Sequence, residues 1–352
     1  MNIVDYISYY GIHTFDIKPF NEIDNLIFSM LSYVDYRDVF KKDITIGEAG
    51  DLFLEKHGDK KYVLISINEG IEVLKAVYKS NRFKDIVMSN YYHEASDESQ
   101  FSAITFKIDK RTYYVSFEGT DSLLSGWEED CKMAYKFPVK AHTKAINYLN
   151  KNFTLKPCDL IVGGHSKGGN LALVSAMYAN PLIKRKIKFI YNNDGQGLRK
   201  TQFESREYES IKNKYIHIIP HYSIIGLLLK HDDNYVVVKT SRKGFYGHTG
   251  LSWQVSYDHF EKEHLSRFSK VFDDGFSRWL EKYNDKEREM FVKEVFKLFY
   301  ENSIKSLEEV KINKDLIVTL FNTSKTLDES VKEMAKELIK VIGKTNLEYP
   351  LI

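Results

Sequence analysis

The segment Gly164-His165-Ser166-Lys167-Gly168 constrains this chain more than any other, because of what flanks it. Asp159-Leu160-Ile161-Val162-Gly163 enters it with the pattern of a buried strand, and Asn170 to Tyr178, rich in Ala and Leu, leaves it with the pattern of a helix. A strand that runs straight into a helix needs a tight turn whose apex is held in strained φ/ψ. Side chains two positions before and after that apex would strike neighbouring backbone, so glycine is needed at both. The spacing G-x-S-x-G meets this need and predicts a hydroxyl standing clear above a sheet. Gly163 and Gly169 widen the permissive stretch. The bland alternative is a glycine-rich turn that cradles phosphate, but the chain has no G-x-x-x-x-G-K-[ST] run.

The rest of the chain supplies a sheet for that turn to sit on. Ala103–Ile108 and Thr112–Phe117 are short β-branched and aromatic runs separated by Asp109-Lys110-Arg111, a hairpin signal. Further strands are predicted at 187–191, 215–219 and 235–239, with helices at about 68–79 and 140–152. Ile23, Leu26, Ile27, Met30, Leu31 and Val34 form a helical stripe that Asn21 would cap, with Asp24 in its first turn. Alternating strands and helices predict an α/β fold with a mostly parallel central sheet flanked by helices. After about His259 the patterns are helical only: Phe291, Val295, Phe296 and Phe299 share a face, and Val331, Met334, Ala335, Leu338, Ile339 and Ile342 form a second stripe. The expected organisation is a core over 1–257 with N-terminal helices and a C-terminal helical extension over 258–352. The extension is either an appended subdomain or a cover for the sheet.

Composition excludes several classes. The net charge is +2 and the basic residues are interleaved with acidic ones, so no nucleic-acid groove is expected. Cys131 and Cys158 make neither a disulfide framework nor a zinc site. The N-terminus has no basic segment leading into an apolar one, and the longest strongly apolar run, 224–229, is too short to cross a bilayer. A cytoplasmic protein without a transmembrane segment is expected. His259 and His264 lack metal-ligand spacing, so neither a metal nor any other cofactor is expected.

The run Gly163-Gly164-His165-Ser166-Lys167-Gly168-Gly169-Asn170-Leu171-Ala172 resembles the turn of the Mbeg1-like family, relatives of the class 3 lipases in the α/β-hydrolase superfamily. Phe117-Glu118-Gly119-Thr120-Asp121 with Gly126-Trp127-Glu128-Glu129-Asp130, Asn193-Asp194-Gly195-Gln196-Gly197, and Ser223 to Leu229 agree with the resemblance in order along the chain. It covers about 31–255 and implies an α/β-hydrolase fold with Ser166 as nucleophile.

A serine hydroxyl needs a general base, and histidine suits because it titrates near neutrality. In this fold the order along the chain is Ser, acid, His. Among the downstream histidines, His248 lies in a glycine-rich loop after the last expected strand and matches the family's pattern of His before Trp, here Trp253. An exposed loop histidine is the alternative. His217 reads as a structural strand residue, and His259 and His264 as helix-surface residues. For the acid, the class 3 lipases supply Asp from the loop after the strand at 215–219, where this chain has Ser223. Asp194, after the preceding strand, is the expected acid, with Asp232 or Asp233 in reserve, although Asn193-Asp194-Gly195 is also a turn sequence.

The amide of Lys167 at the helix start is an expected oxyanion donor. By resemblance Thr120 supplies the other, through its amide, with its hydroxyl as a second candidate. Many relatives have Arg where this chain has Glu118. Ser223, Ile224 and Leu227 are expected to line a substrate pocket, or else to form a lid or a short core helix, and 199–214 is a candidate cap. The implied activity is hydrolysis of carboxylic esters or thioesters, lipase- or esterase-like, on a small-molecule or lipid substrate. The absent Asp at 223, Glu118 and the helical C-terminal third motivate the alternative, a catalytically weak scaffold that binds or regulates.

Overall fold

The computed structural model describes residues 1–58, 60–62, 64–96, 99–120, 124–302, 304 and 327–348. Eight strands form one sheet in chain order: β1 (Ile44–Thr45), β2 (Val87–Ser96), β3 (Ser99–Lys107), β4 (Thr112–Phe117), β5 (Asp159–His165), β6 (Ile187–Asn193), β7 (Tyr215–Pro220) and β8 (Val236–Val238). The first three pairings are antiparallel. From β4 to β8 every pairing is parallel. The expected α/β class with a mostly parallel sheet holds. In the parallel part all strands end on one edge, where open α/β sheets bind ligands.

Helices cover both faces. α1 (Ile3–Tyr10), α2 (Glu22–Leu31), α3 (Ile46–His57) and α4 (Ile65–Val77) precede most of the sheet. α5 (Leu124–Lys132), α6 (Lys140–Phe153), α7 (Lys167–Tyr178) and α8 (Pro181–Lys186) cross between parallel strands, followed by the short α9 (Lys200–Phe203) and α10 (Arg206–Glu209). α11 (Arg267–Lys282), α12 (Asp285–Glu301) and α13 (Glu329–Glu348) make the C-terminal part. The alternation of β5 assigns its sides. Ile161 joins the core built on α1 to α4, whereas Leu160 and Val162 join the core built on α6 and α7. Asn21 caps α2 by accepting from the amides of Ile23 and Asp24, and Asp24 returns the bond to Asn21.

Asp24 also forms a buried ion pair with Arg82, 2.5 Å at its closest. Arg82 reaches the carbonyls of His13, Lys18 and Pro19 as well, which ties the N-terminal segment to the chain between α4 and β2.

Two expectations are corrected. The chain does not turn helical at His259, because Val255–Ser256 and His259–Phe260 pair as a hairpin around Tyr257, whose φ is positive, and α11 starts only at Arg267. Nor does 199–214 read as a cap, since Tyr208 and Ile211 are buried in the core beside α7. Among the described residues, no helix is long and apolar enough to cross a membrane.

Candidate functional site

Ser166 stands between β5 and α7 with φ 57° and ψ −134°. Its amide donates to the carbonyl of Asn193 and its carbonyl accepts from Gly169, so the backbone of the turn is fixed from both sides. The side chain makes no capping bond to α7. The neighbouring glycines answer to sterics: a Cβ on Gly168 would lie 2.0 Å from the carbonyl oxygen of Phe117, and one on Gly164 would lie 2.3 Å from Gly168 itself. Lys167 is the first residue of α7, so its amide sits at the positive end of the helix dipole.

Asp194 follows β6, takes a positive φ of 51° and is fully buried. Its amide donates to the carbonyl of Ile218. Oδ1 accepts from the Ser223 hydroxyl at 2.5 Å and from the Gly226 amide at 3.0 Å. Oδ2 accepts from His248 Nδ1 at 2.6 Å. The structure therefore brings Asp194 and His248 together, and because a carboxylate only accepts, Nδ1 carries the hydrogen of this bond. Asp232 and Asp233 are not in this contact; Asp232 pairs with Lys212 at 3.4 Å.

His248 sits beside the Ser166 turn. His165, the residue before Ser166, has its ring centroid 4.5 Å from that of His248 and shares a 2.7 Å hydrogen bond with the His248 carbonyl through Nε2. Burial, reinforced by the neighbouring His248, pushes His165 down to about 3, so its ring is neutral. A carbonyl only accepts, so Nε2 carries the hydrogen and Nδ1 accepts from the Tyr33 hydroxyl at 2.9 Å. That hydroxyl lies against Gly119, where a Cβ would come within 2.0 Å of it. One buried tyrosine thus joins the loop after β4 to the serine turn. Glu69 on α4 accepts from the Leu251 amide at 3.4 Å and lies 3.7 Å from Arg242, gripping the loop that carries His248.

Thr120 is buried after β4 and gives its hydroxyl hydrogen to Asp130 Oδ2 at 2.5 Å. The hydroxyl hydrogen is engaged there. Glu118 is also buried, with His93 at 4.0 Å. Asp121 lies outside the described residues. Ser223 is buried on Asp194, and Leu227 packs in a small core with Ile219 and Leu265, as the core-helix alternative has it; Ile224 is half-buried. His217 is buried within β7, while His259 is exposed on the hairpin. Among the described residues, no three His, Cys, Asp or Glu side chains converge as metal ligands.

Sequence reasoning missed Tyr33, His165 and Glu69, and gave no role to Glu129 and Asp130. His165 and the Glu129-Asp130 pair lay inside segments already singled out, so position next to Ser166 and Thr120 was the available signal. Tyr33 and Glu69 carry no local signal at all.

Comparison with known proteins adds the following. A family model described as Mbeg1-like matches residues 77–297. No curated protein matches the chain. A solved structure described as M37 lipase is 14% identical with a TM-score of 0.37, covering 59% of this chain and 70% of that one. A fungal lipase–inhibitor complex is 13% identical with a TM-score of 0.35, covering 67% of this chain and 79% of that one. The family match spans more than half of the chain, which belongs to the Mbeg1-like family.

Proposed function

We propose that this chain is a serine hydrolase that cleaves carboxylic esters or thioesters through an acyl-enzyme on Ser166. His248 takes the Ser166 proton as the hydroxyl attacks the carbonyl and returns it to the leaving group. Asp194 fixes the tautomer and stabilises the imidazolium. The amides of Lys167 and Thr120 receive the oxyanion. The water that follows is activated by the same imidazole, and its attack releases the acid and restores the serine.

The observation that carries this reading is the buried carboxylate of Asp194. One oxygen is held by the Ser223 hydroxyl and the Gly226 amide, and the other holds His248 Nδ1 at 2.6 Å, on a loop bonded to the residue before Ser166. A solvent-facing turn aspartate has no need of three donors in a buried site, whereas a base that must present Nε2 does.

A fluorophosphonate probe tests the reading on the full chain. Ser166 in the parent is expected to be labelled, and Ser166→Ala to give no labelling while remaining folded by circular dichroism. Absence of labelling in the folded parent would instead leave a binding scaffold. A series of short to long acyl esters and thioesters, run on the parent, then identifies the acyl chain it accepts.

A further inference from the structure

The residue after the nucleophile carries a second, unexpected feature. Lys167 presents its amide at the start of α7, but its side chain is 1% exposed and runs back into the protein. Nζ lies 2.6 Å from Glu129 Oε2, 3.4 Å from the Gln100 carbonyl and 3.6 Å from Asp130 Oδ1. Both carboxylates belong to α5, the helix that follows Thr120. Glu129 is fixed in turn, because Oε1 accepts from the Ala141 amide at the start of α6. Asp130 receives the Thr120 hydroxyl on its other oxygen.

We propose that the Lys167 side chain is a positioning residue: through Asp130 it sets Thr120, so that the two amides assigned to the oxyanion hole are held by one buried bridge. The bridge rests on the reading of Ser166, Lys167 and Thr120 as catalytic machinery. Its logic is electrostatic. Burying an ammonium is expensive, and a buried ion pair is often no more stabilising than apolar side chains of the same size, so packing gives no reason for a lysine here. What an apolar side chain cannot do is keep a second buried carboxylate ionised. Burial drives Asp130 up to about 6, against the opposing pull of the Lys167 ammonium. Asp130 is faced by Glu129 and Cys131 from its own helix, by Lys167 from α7 and by Tyr33 from the segment after α2. Of these only Lys167 is cationic. Without it, Asp130 is protonated at neutral pH, its carboxyl competes as a donor for the Thr120 oxygen, and the loop after β4 loses its fixed orientation.

The test uses the full chain, with the rate of fluorophosphonate labelling followed from pH 5 to pH 9 and kcat and KM measured on an ester that the parent turns over. Lys167→Met is expected to label roughly 10²-fold more slowly at pH 7, the size of losing one oxyanion donor. The deficit should fall on kcat with KM little changed, and should shrink as the pH rises and Asp130 ionises. Asp130→Asn should be slow at every pH, and the double variant should be no slower than Asp130→Asn, because both changes act through one carboxylate. Parent-like labelling by Lys167→Met, or a loss that multiplies with that of Asp130→Asn at every pH, would overturn the bridge. If Lys167→Met does not fold, Asp130→Asn decides: a parent-like rate overturns the bridge, and a slow rate with unchanged circular dichroism supports it. An unlabelled parent sinks the hydrolase reading itself, an outcome distinct from either of these.

Discussion

Asp194 accepts three hydrogen bonds in a fully buried position, and their directions differ in consequence. The two on Oδ1 fix the carboxylate plane, and the one on Oδ2 passes that orientation to His248. Ser223 is instructive because it stands where the resemblance to class 3 lipases puts the acid, and here it donates to an acid that arrives from the adjacent strand. On the proposed reading the acid comes from one strand earlier than the resemblance implies, and His248 still has a carboxylate partner. Asp194→Asn preserves shape but offers an amide that can present a hydrogen to Nδ1 and reverse the tautomer. We expect kcat to fall roughly 10⁴-fold with KM little changed, measured on the ester that the parent cleaves best. A loss of only a few-fold would show that another group orients His248.

At the scale of elements, the loop bearing His248 is held from outside its own strand. β8 has three residues, so its ladder contributes little, and the grip comes from His165 on β5 and Glu69 on α4. Burial drives Glu69 up to about 7, with Leu251, Thr249 and Arg242 pulling it down. The folded protein therefore holds this proton more tightly than the unfolded chain does. Between the unfolded value near 4.5 and about 7, stability falls as pH rises, since folding takes up a proton that is becoming scarce. Glu69→Gln keeps an acceptor for Leu251 and cannot ionise. The parent should lose thermal stability from pH 5 to pH 8 relative to Glu69→Gln, seen as converging Tm values at pH 5 and a higher Tm for the variant at pH 8. Equal differences at both pH values would remove Glu69 from this role.

The same contacts explain what was legible in the chain. β4 to β7 and α2 were readable because each has a local period, apolar runs or a 3.6-residue stripe, that burial enforces. Ser166, Asp194 and His248 stood out as candidates because each sits in a glycine-bearing connection after an expected strand. β2 was not, because Asn90 at positive φ and a shift of register between Ser89 and Tyr92 break its alternation. Tyr33 and Glu69 were invisible for another reason. They meet His165 and Leu251 across 132 and 182 residues, and no local pattern encodes such a meeting.

On the scale of the whole molecule, buried polar contacts fasten the N-terminal helices to the sheet. Asn25 and Asn193 exchange side-chain hydrogen bonds at 2.8 and 3.1 Å, Asn193 also reaches Ser29 and the Gly164 carbonyl, and Tyr114 joins Ser29 and Asn25. The Asp24–Arg82 pair closes the far end of this layer. Arg82→Met would strand a carboxylate in the core, and we expect a loss of about 3–5 kcal/mol, measured as a lowered denaturant midpoint with an unchanged m-value. A change below 1 kcal/mol would mean that Asp24 finds water or protonates without cost. On the opposite side, α12 packs on α5 through Phe296 with Leu124 and Tyr135, and Tyr300 donates to Glu128. The helix that holds Thr120 is therefore sandwiched between the sheet and the C-terminal part.

The placement of α1 to α4 bears on where this chain can be cut. Residues 77–297 contain every group assigned to the chemistry, and an excised fragment with those ends would look complete on paper. It would leave behind Asn25, Ser29, Tyr33 and Glu69, and would strip the packing of α1 to α4 from their side of the sheet. The smallest piece expected to keep this fold is thus larger than the piece that sequence kinship outlines.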